Sequence, residues 1–168
     1  MTAALISWGK GRRAAAAIGA VSLGLLTLSA CEKPTSLATV TVGSTTVQAE
    51  ATPGCDGGGK VLSKKAVAAC ITKKGGKTIT VHPGEKVRVG VDPEVAKSGW
   101  IVIGAGPVMR APSKQTYRSF DADTLFMQQN PQTGQTSYSK DVTLQVAELG
   151  GSSEGPKTLW HFTLKQKD

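Results

Sequence analysis

The chain has 168 residues, and its 20 Lys and Arg outnumber its 12 Asp and Glu, for a formal charge of +8. That length suits a single domain able to bury a real core. With only three Trp, two Tyr and three Phe, and with its lysines scattered, the composition argues against a nucleic-acid-binding protein.

The N-terminus has three parts. Lys10, Arg12 and Arg13 form a basic region, Ala14 to Leu28 is mostly apolar, and Leu28-Ser29-Ala30 precedes Cys31. This is the layout of a secretory signal peptide spanning residues 1–30. Its apolar run of about fifteen residues falls short of the roughly 20 that a spanning helix needs, and no later segment comes nearer. Leu28-Ser29-Ala30-Cys31 resembles the bacterial lipobox at all four positions. The resemblance implies that the Cys31 thiol is lipidated, that cleavage follows Ala30, and that Cys31 begins a mature chain held at the membrane by its acyl chains. Two or more chains meet the requirement for stable anchoring, at about 0.8 kcal/mol per buried CH₂. Removing the signal takes three of the 20 basic residues and no acids, so 17 face 12 and the mature charge is +5. A moderate positive balance suits a place beside anionic lipids or anionic wall polymers.

Three cysteines is an odd number for an exported chain. With Cys31 lipidated, Cys55 and Cys70 remain, fifteen positions apart. An oxidising compartment favours a disulfide between them, with a loop-closure stabilisation of about 3 kcal/mol.

Residues 31–36 read as a lipidated polar tether, and 37–168 as one domain. Val40 and Val42 alternate with Thr39 and Thr41, and Val47 and Ala49 with Thr46 and Gln48, giving two strands about a turn at Gly43-Ser44. TPGCDGGGK (52–60) is a loop, since four glycines in nine positions hold no regular element. Ser63 could cap a short helix with Ala66, Val67, Cys70 and Ile71 on one face, although the same run could lead into a strand. Further strands are predicted at TITV (78–81), KVRVGV (86–91), GWIVIG (99–104), VTLQVAEL (142–149) and TLWHFTLK (158–165), with a turn at Pro83-Gly84 and a closing hairpin through Gly150 to Pro156. GWIVIG is apolar on both faces, as a central strand is, and Trp100 is the candidate centre of the core. Residues 104–141 are looser, with weak strand candidates at 115–120 and 124–127. Seven to nine short strands with regular turns predict an all-β fold, a β-sandwich.

Trp100 in a central strand and the closing hairpin resemble an immunoglobulin-like domain, although Cys55 and Cys70 both precede the Trp rather than flanking it. The lipobox, the cysteine pair and the run TVHPGEKVRVGVDPEVAKSGW are similar to small lipoproteins of actinobacteria that carry an immunoglobulin-like domain of unknown function.

Motifs that suggest chemistry are incomplete. Gly54 to Lys60 almost spells a phosphate loop, but Val61 stands where Ser or Thr would hold magnesium. Gly104-Ala-Gly106 opens like a dinucleotide loop, but Met109 replaces the third glycine. His82, His161, Met109 and Met127 invite a copper reading, yet no free cysteine remains to complete it. His82 reads as a turn residue, and His161, opposite the Trp160/Phe162 face, as solvent-facing. Asp121 and Asp123 share a strand-spaced side of Ala122, in keeping with a loop acid pair. No nucleophile stands in a recognised context with a base, so we expect a non-catalytic chain without cofactor or metal. The expected role is binding or scaffolding in the cell envelope, with a protein or an anionic wall polymer as partner and with strand edges and residues 104–141 as contact surface. The alternative is a small-ligand carrier or receptor accessory in which Trp100, Tyr117, Phe120 and Tyr138 line a pocket above about 300 Å³. Mass spectrometry of the native protein should find Cys31 at the N-terminus carrying acyl mass, and Cys31→Ser should lose membrane retention. An intact Met1 or a bare thiol would contradict the anchor.

Overall fold

The structure is a computed structural model that describes residues 35–130, 132–151 and 155–167. Cys31 and the signal segment lie outside the described residues. Ten strands and three short helices are described: β1 (Ala38–Val42), β2 (Thr45–Ala49), α1 (Lys64–Ile71), β3 (Lys77–Val81), β4 (Lys86–Val91), α2 (Pro93–Ser98), β5 (Trp100–Ile103), β6 (Tyr117–Asp121), α3 (Ala122–Phe126), β7 (Met127–Gln129), β8 (Thr136–Tyr138), β9 (Asp141–Leu149) and β10 (Pro156–Gln166).

Eight strands form two packed sheets, with orders β2-β1-β4-β6 and β3-β10-β9-β5, and β7-β8 make a separate ribbon. The alternation of valines decides which face of each sheet is buried. Val40 and Val42 of β1, and Val87, Val89 and Val91 of β4, meet Ile79, Val81, Leu144, Val146, Trp160, Phe162 and Leu164 of the second sheet in one core. Each such side chain contributes about 1.5–3 kcal/mol on full burial. Trp100 and Trp160 are the largest of the fully buried side chains. Each indole has a partner: Trp100 Nε1 donates to Gln115 O (2.7 Å) and Trp160 Nε1 to Ser36 O (3.1 Å). Leu37 N donates to Asp92 Oδ2 (2.8 Å). Ser36, the last residue of the predicted tether, is therefore fastened to the domain, as is Leu37 after it.

Several elements depart from expectation. GWIVIG supplies β5, but β5 is an edge strand beside β9 rather than a central one. Its outer side chain Ile101 packs on a second apolar cluster, which explains why both faces are apolar. Its free edge is covered by the loop after it, where Trp100 and Ser113 exchange backbone bonds (3.0 and 2.8 Å). Residues 124–127, read as a strand, lie mostly in α3, with Leu125 and Phe126 in the core. Asp121 ends β6 and pairs with Lys86, while Asp123 sits in the first turn of α3, so the two acids do not share a strand face. α2 went unread, although Asp92-Pro93-Glu94 carries a start signal, with Pro at the first helical position and an acid in the first turn.

The buried inner faces and the exposed edge strand β2 make a clear contrast in cost. Leu144→Ala should lower unfolding free energy by about 2–5 kcal/mol, while Gln48→Ala, on an exposed edge strand, should change it by less than about 0.5 kcal/mol. Urea titration of both variants measures the difference.

Candidate functional site

In the β9–β10 hairpin the register fixes what the outer face of the second sheet presents. Ala147 lies opposite Leu159, Gln145 opposite His161, Thr143 opposite Thr163, and Asp141 opposite Lys165. Ile101 extends the first row and Ile103 the second across β5. The face therefore grades from apolar at one end to charged at the other.

Residues 52–76 cover the apolar end. Ser63 caps α1 by accepting from Ala66 N (3.2 Å), which decides for the helix over the strand lead-in that the sequence left open. The helix turns Cys70 inward, where it is bonded to Cys55, with Cα atoms 5.8 Å apart. Cys55, Cys70, Ala147 and Leu159 form a small second core with Leu62 and Ile101 packed against it. The loop 52–57 also runs along β10: Thr52 N donates to Leu159 O (2.9 Å), Leu159 N to Cys55 O (2.9 Å), and Gly57 N to Lys157 O (2.8 Å). β3 occupies the rest of that edge, in parallel register with residues 162–166. The near-phosphate loop is thus a disulfide-held strap. Gly57 is needed there, because a Cβ would come within 2.0 Å of Lys60 O. Gly76, at φ +98°, presses on His161 O, where a Cβ would lie at 1.9 Å.

His161 is 3 % exposed, which overturns the solvent-facing expectation. It does stand on the face opposite Trp160 and Phe162, but the strap covers that face. Its Nε2 lies 3.1 Å from Cys70 O and its Nδ1 2.6 Å from Thr52 Oγ1. A carbonyl only accepts, so the neutral ring carries its proton on Nε2 and the Thr52 hydroxyl donates to Nδ1. Both nitrogens are occupied within the fold. His82 sits apart in the Pro83-Gly84 turn, where its backbone N–H donates to Glu85 Oε2 (2.7 Å). Among the described residues no three His, Cys, Asp or Glu converge as a metal site would require.

Where the strap ends, an open groove of about 820 Å³ begins. Its floor is Thr143, Gln145, Thr163 and Lys165. One wall is Ile71 to Gly75, and the other is Gly104, Ala105 and Gln128. The wall that follows α1 is tied in place: Gln145 Nε2 donates to Ile71 O (2.7 Å), Lys73 Nζ donates to Pro53 O, and His161 holds Cys70 O. Ile71, expected on the buried helix face, is 48 % exposed on that wall. Gln145 Oε1 is buried with no donor among the described residues.

The groove is not the pocket the aromatics suggested. Trp100 is wholly buried and Phe120 nearly so, while Tyr117 and Tyr138 are 64 % and 63 % exposed. None of the four lines the groove. Residues 104–141 supply one wall, through Gly104, Ala105 and Gln128, together with Asp141. The groove residues went unread for want of a motif. Two traces were present, however: the lysine- and glycine-rich run ITKKGGK (71–77), and the outward positions of the hairpin, where Thr143 and Thr163 fall opposite each other.

No protein-family model, curated protein or solved structure matches this chain. Among the described residues no helix is long and apolar enough to cross a membrane.

Burial holds the His161 pKa below its usual 6.5, the Cys70 carbonyl opposes that shift, and the Lys73 ammonium adds to it. The unfolded chain then takes up the proton first as pH falls. The stabilising difference is fully present above about 6.5 and is lost as pH drops from there through the folded-state value. Denaturation midpoints should decline below pH 6.5 in the native protein, and that part of the decline should vanish in His161→Gln.

Proposed function

We propose that this chain is an exported lipoprotein, anchored at the outer face of the cytoplasmic membrane through Cys31, whose β-sandwich is a non-catalytic binding module of the cell envelope. The observation that carries the reading is the groove at the end of the strap. It is open, lined by lysines, threonines and Gln145 beside the apolar Ile71 and Ala105, and walled by a segment fastened through a disulfide and three hydrogen bonds. Such a wall is pre-organised, which spares binding the ordering cost that a mobile loop would impose. The imidazole of His161 and the sulfurs of the cysteine pair are both consumed in holding that wall. The partner is an envelope protein or wall polymer.

The immunoglobulin-like assignment belongs to the same proposal. It is supported by the order β5-β9-β10 in one sheet, by the core Trp100 at the start of β5, and by the hairpin that closes the fold. The disulfide departs from that pattern, since it joins a loop to a helix outside the sandwich. The groove's volume is also within the range of small-ligand sites, and this favours the carrier reading as second choice.

Crosslinking in intact cells tests the module directly. Thr143→Trp fills the groove floor without touching the strap's bonds. The proposal expects the major crosslinked product to fall at least about tenfold in this variant, with the thermal midpoint kept. An unchanged crosslinking pattern would remove the groove from the account.

A further inference from the structure

We infer that the groove binds an acidic polysaccharide, with Lys74 and Lys165 meeting its carboxylates or phosphates and the floor meeting its hydroxyls. The inference rests on the binding-module reading and adds the chemistry of the occupant. Three observations converge on it.

The first is charge. Lys73, Lys74 and Lys165 line the groove against a single carboxylate, Asp141. Lys74 and Lys77 line an adjoining groove of about 410 Å³ on the far side of the 72–76 ridge, against Glu50 alone. A low-dielectric wall with one sign of charge concentrates oppositely charged ligands. Lys73 is spoken for by Pro53 O, so Lys74 and Lys165 are the cations left to a ligand.

The second is the lining between the lysines. Thr143, Thr163 and Gln128 offer hydroxyl and amide groups, the Thr72 hydroxyl is turned back to Ala69 O (3.0 Å), and no aromatic ring lines the groove. That lining suits a hydroxylated chain better than an apolar helix or an aromatic ligand. The third is Gln145. Its Oε1 is more than nine-tenths buried and lacks a donor. A buried acceptor without a partner costs about 1–3 kcal/mol. Gln145 lines the groove floor, so a small shift of that floor would let a sugar hydroxyl donate to it, whereas a fully deprotonated anion has no proton to give.

The whole lipoprotein, held in neutral phosphatidylcholine nanodiscs, should bind polygalacturonate and not dextran in surface plasmon resonance. Binding should weaken about tenfold or more between 50 and 500 mM NaCl, as screening requires. Lys74→Gln/Lys165→Gln should lose about tenfold in affinity, while Lys64→Gln/Lys65→Gln, at the start of α1 and outside the groove, should match the native protein. Asp141→Asn should bind severalfold more tightly, a gain that misfolding does not produce. Equal binding to dextran, or an Asp141→Asn variant with no gain, would overturn the inference. So would tighter capture of anionic phosphatidylglycerol vesicles than of polygalacturonate. If polygalacturonate fails to bind while Thr143→Trp still abolishes the cellular crosslink, the binding module stands and this ligand falls.

Discussion

The structure of the outer face depends on one constraint: β10 needs a cover for Leu159 and His161, and residues 52–76 can provide it only when closed on themselves. The sandwich core explains the inward side of β10 without that segment. Its outward side places an apolar Leu159 and a neutral imidazole where a solvated sheet would carry polar side chains. The cover holds six glycines in its loops and one eight-residue helix. An isolated helix of that length is marginal in water, and glycines raise the entropy cost of ordering the loop. The Cys55–Cys70 bond removes much of that entropy from the unfolded chain, and the second core and the His161 bonds complete the closure.

The groove follows from this constraint. Two strands that pair along their full length would present a flat outer face. Here the strap covers half of that face and stops at Gly76, where only a glycine fits against His161 O. The step from covered to uncovered sheet is the groove wall. Its lysines are therefore carried on a segment whose position is set by a buried disulfide and a buried imidazole. The same arrangement explains why neither group is free for catalysis or metal binding.

Period-two alternation made the inner faces of β1, β3, β4, β9 and β10 legible in the sequence, because a single core dictates every second side chain. Ser63 made α1 legible through its cap. The outer face was less so. Alternation correctly put His161 opposite Trp160, but alternation reports sidedness, not exposure, and what covers a face comes from a segment about 100 residues away. Ile101 misled in the same way: its burial under the strap made an edge strand look central. α3 was missed because five residues with Leu125 and Phe126 turned inward show too little periodicity to separate helix from strand. The cysteine count and the exported address pointed to the bond, but nothing in them said that the bond would shape a groove.

Hydrogen–deuterium exchange on the oxidised and the reduced protein tests this account most directly. Reduction of Cys55–Cys70 should raise exchange sharply in residues 52–76 and in the 157–161 half of β10, while β1, β4 and the 162–166 half keep their protection. Uniform loss of protection throughout the sandwich, or an unchanged 52–76 segment, would contradict a separately closed cover on a self-sufficient core.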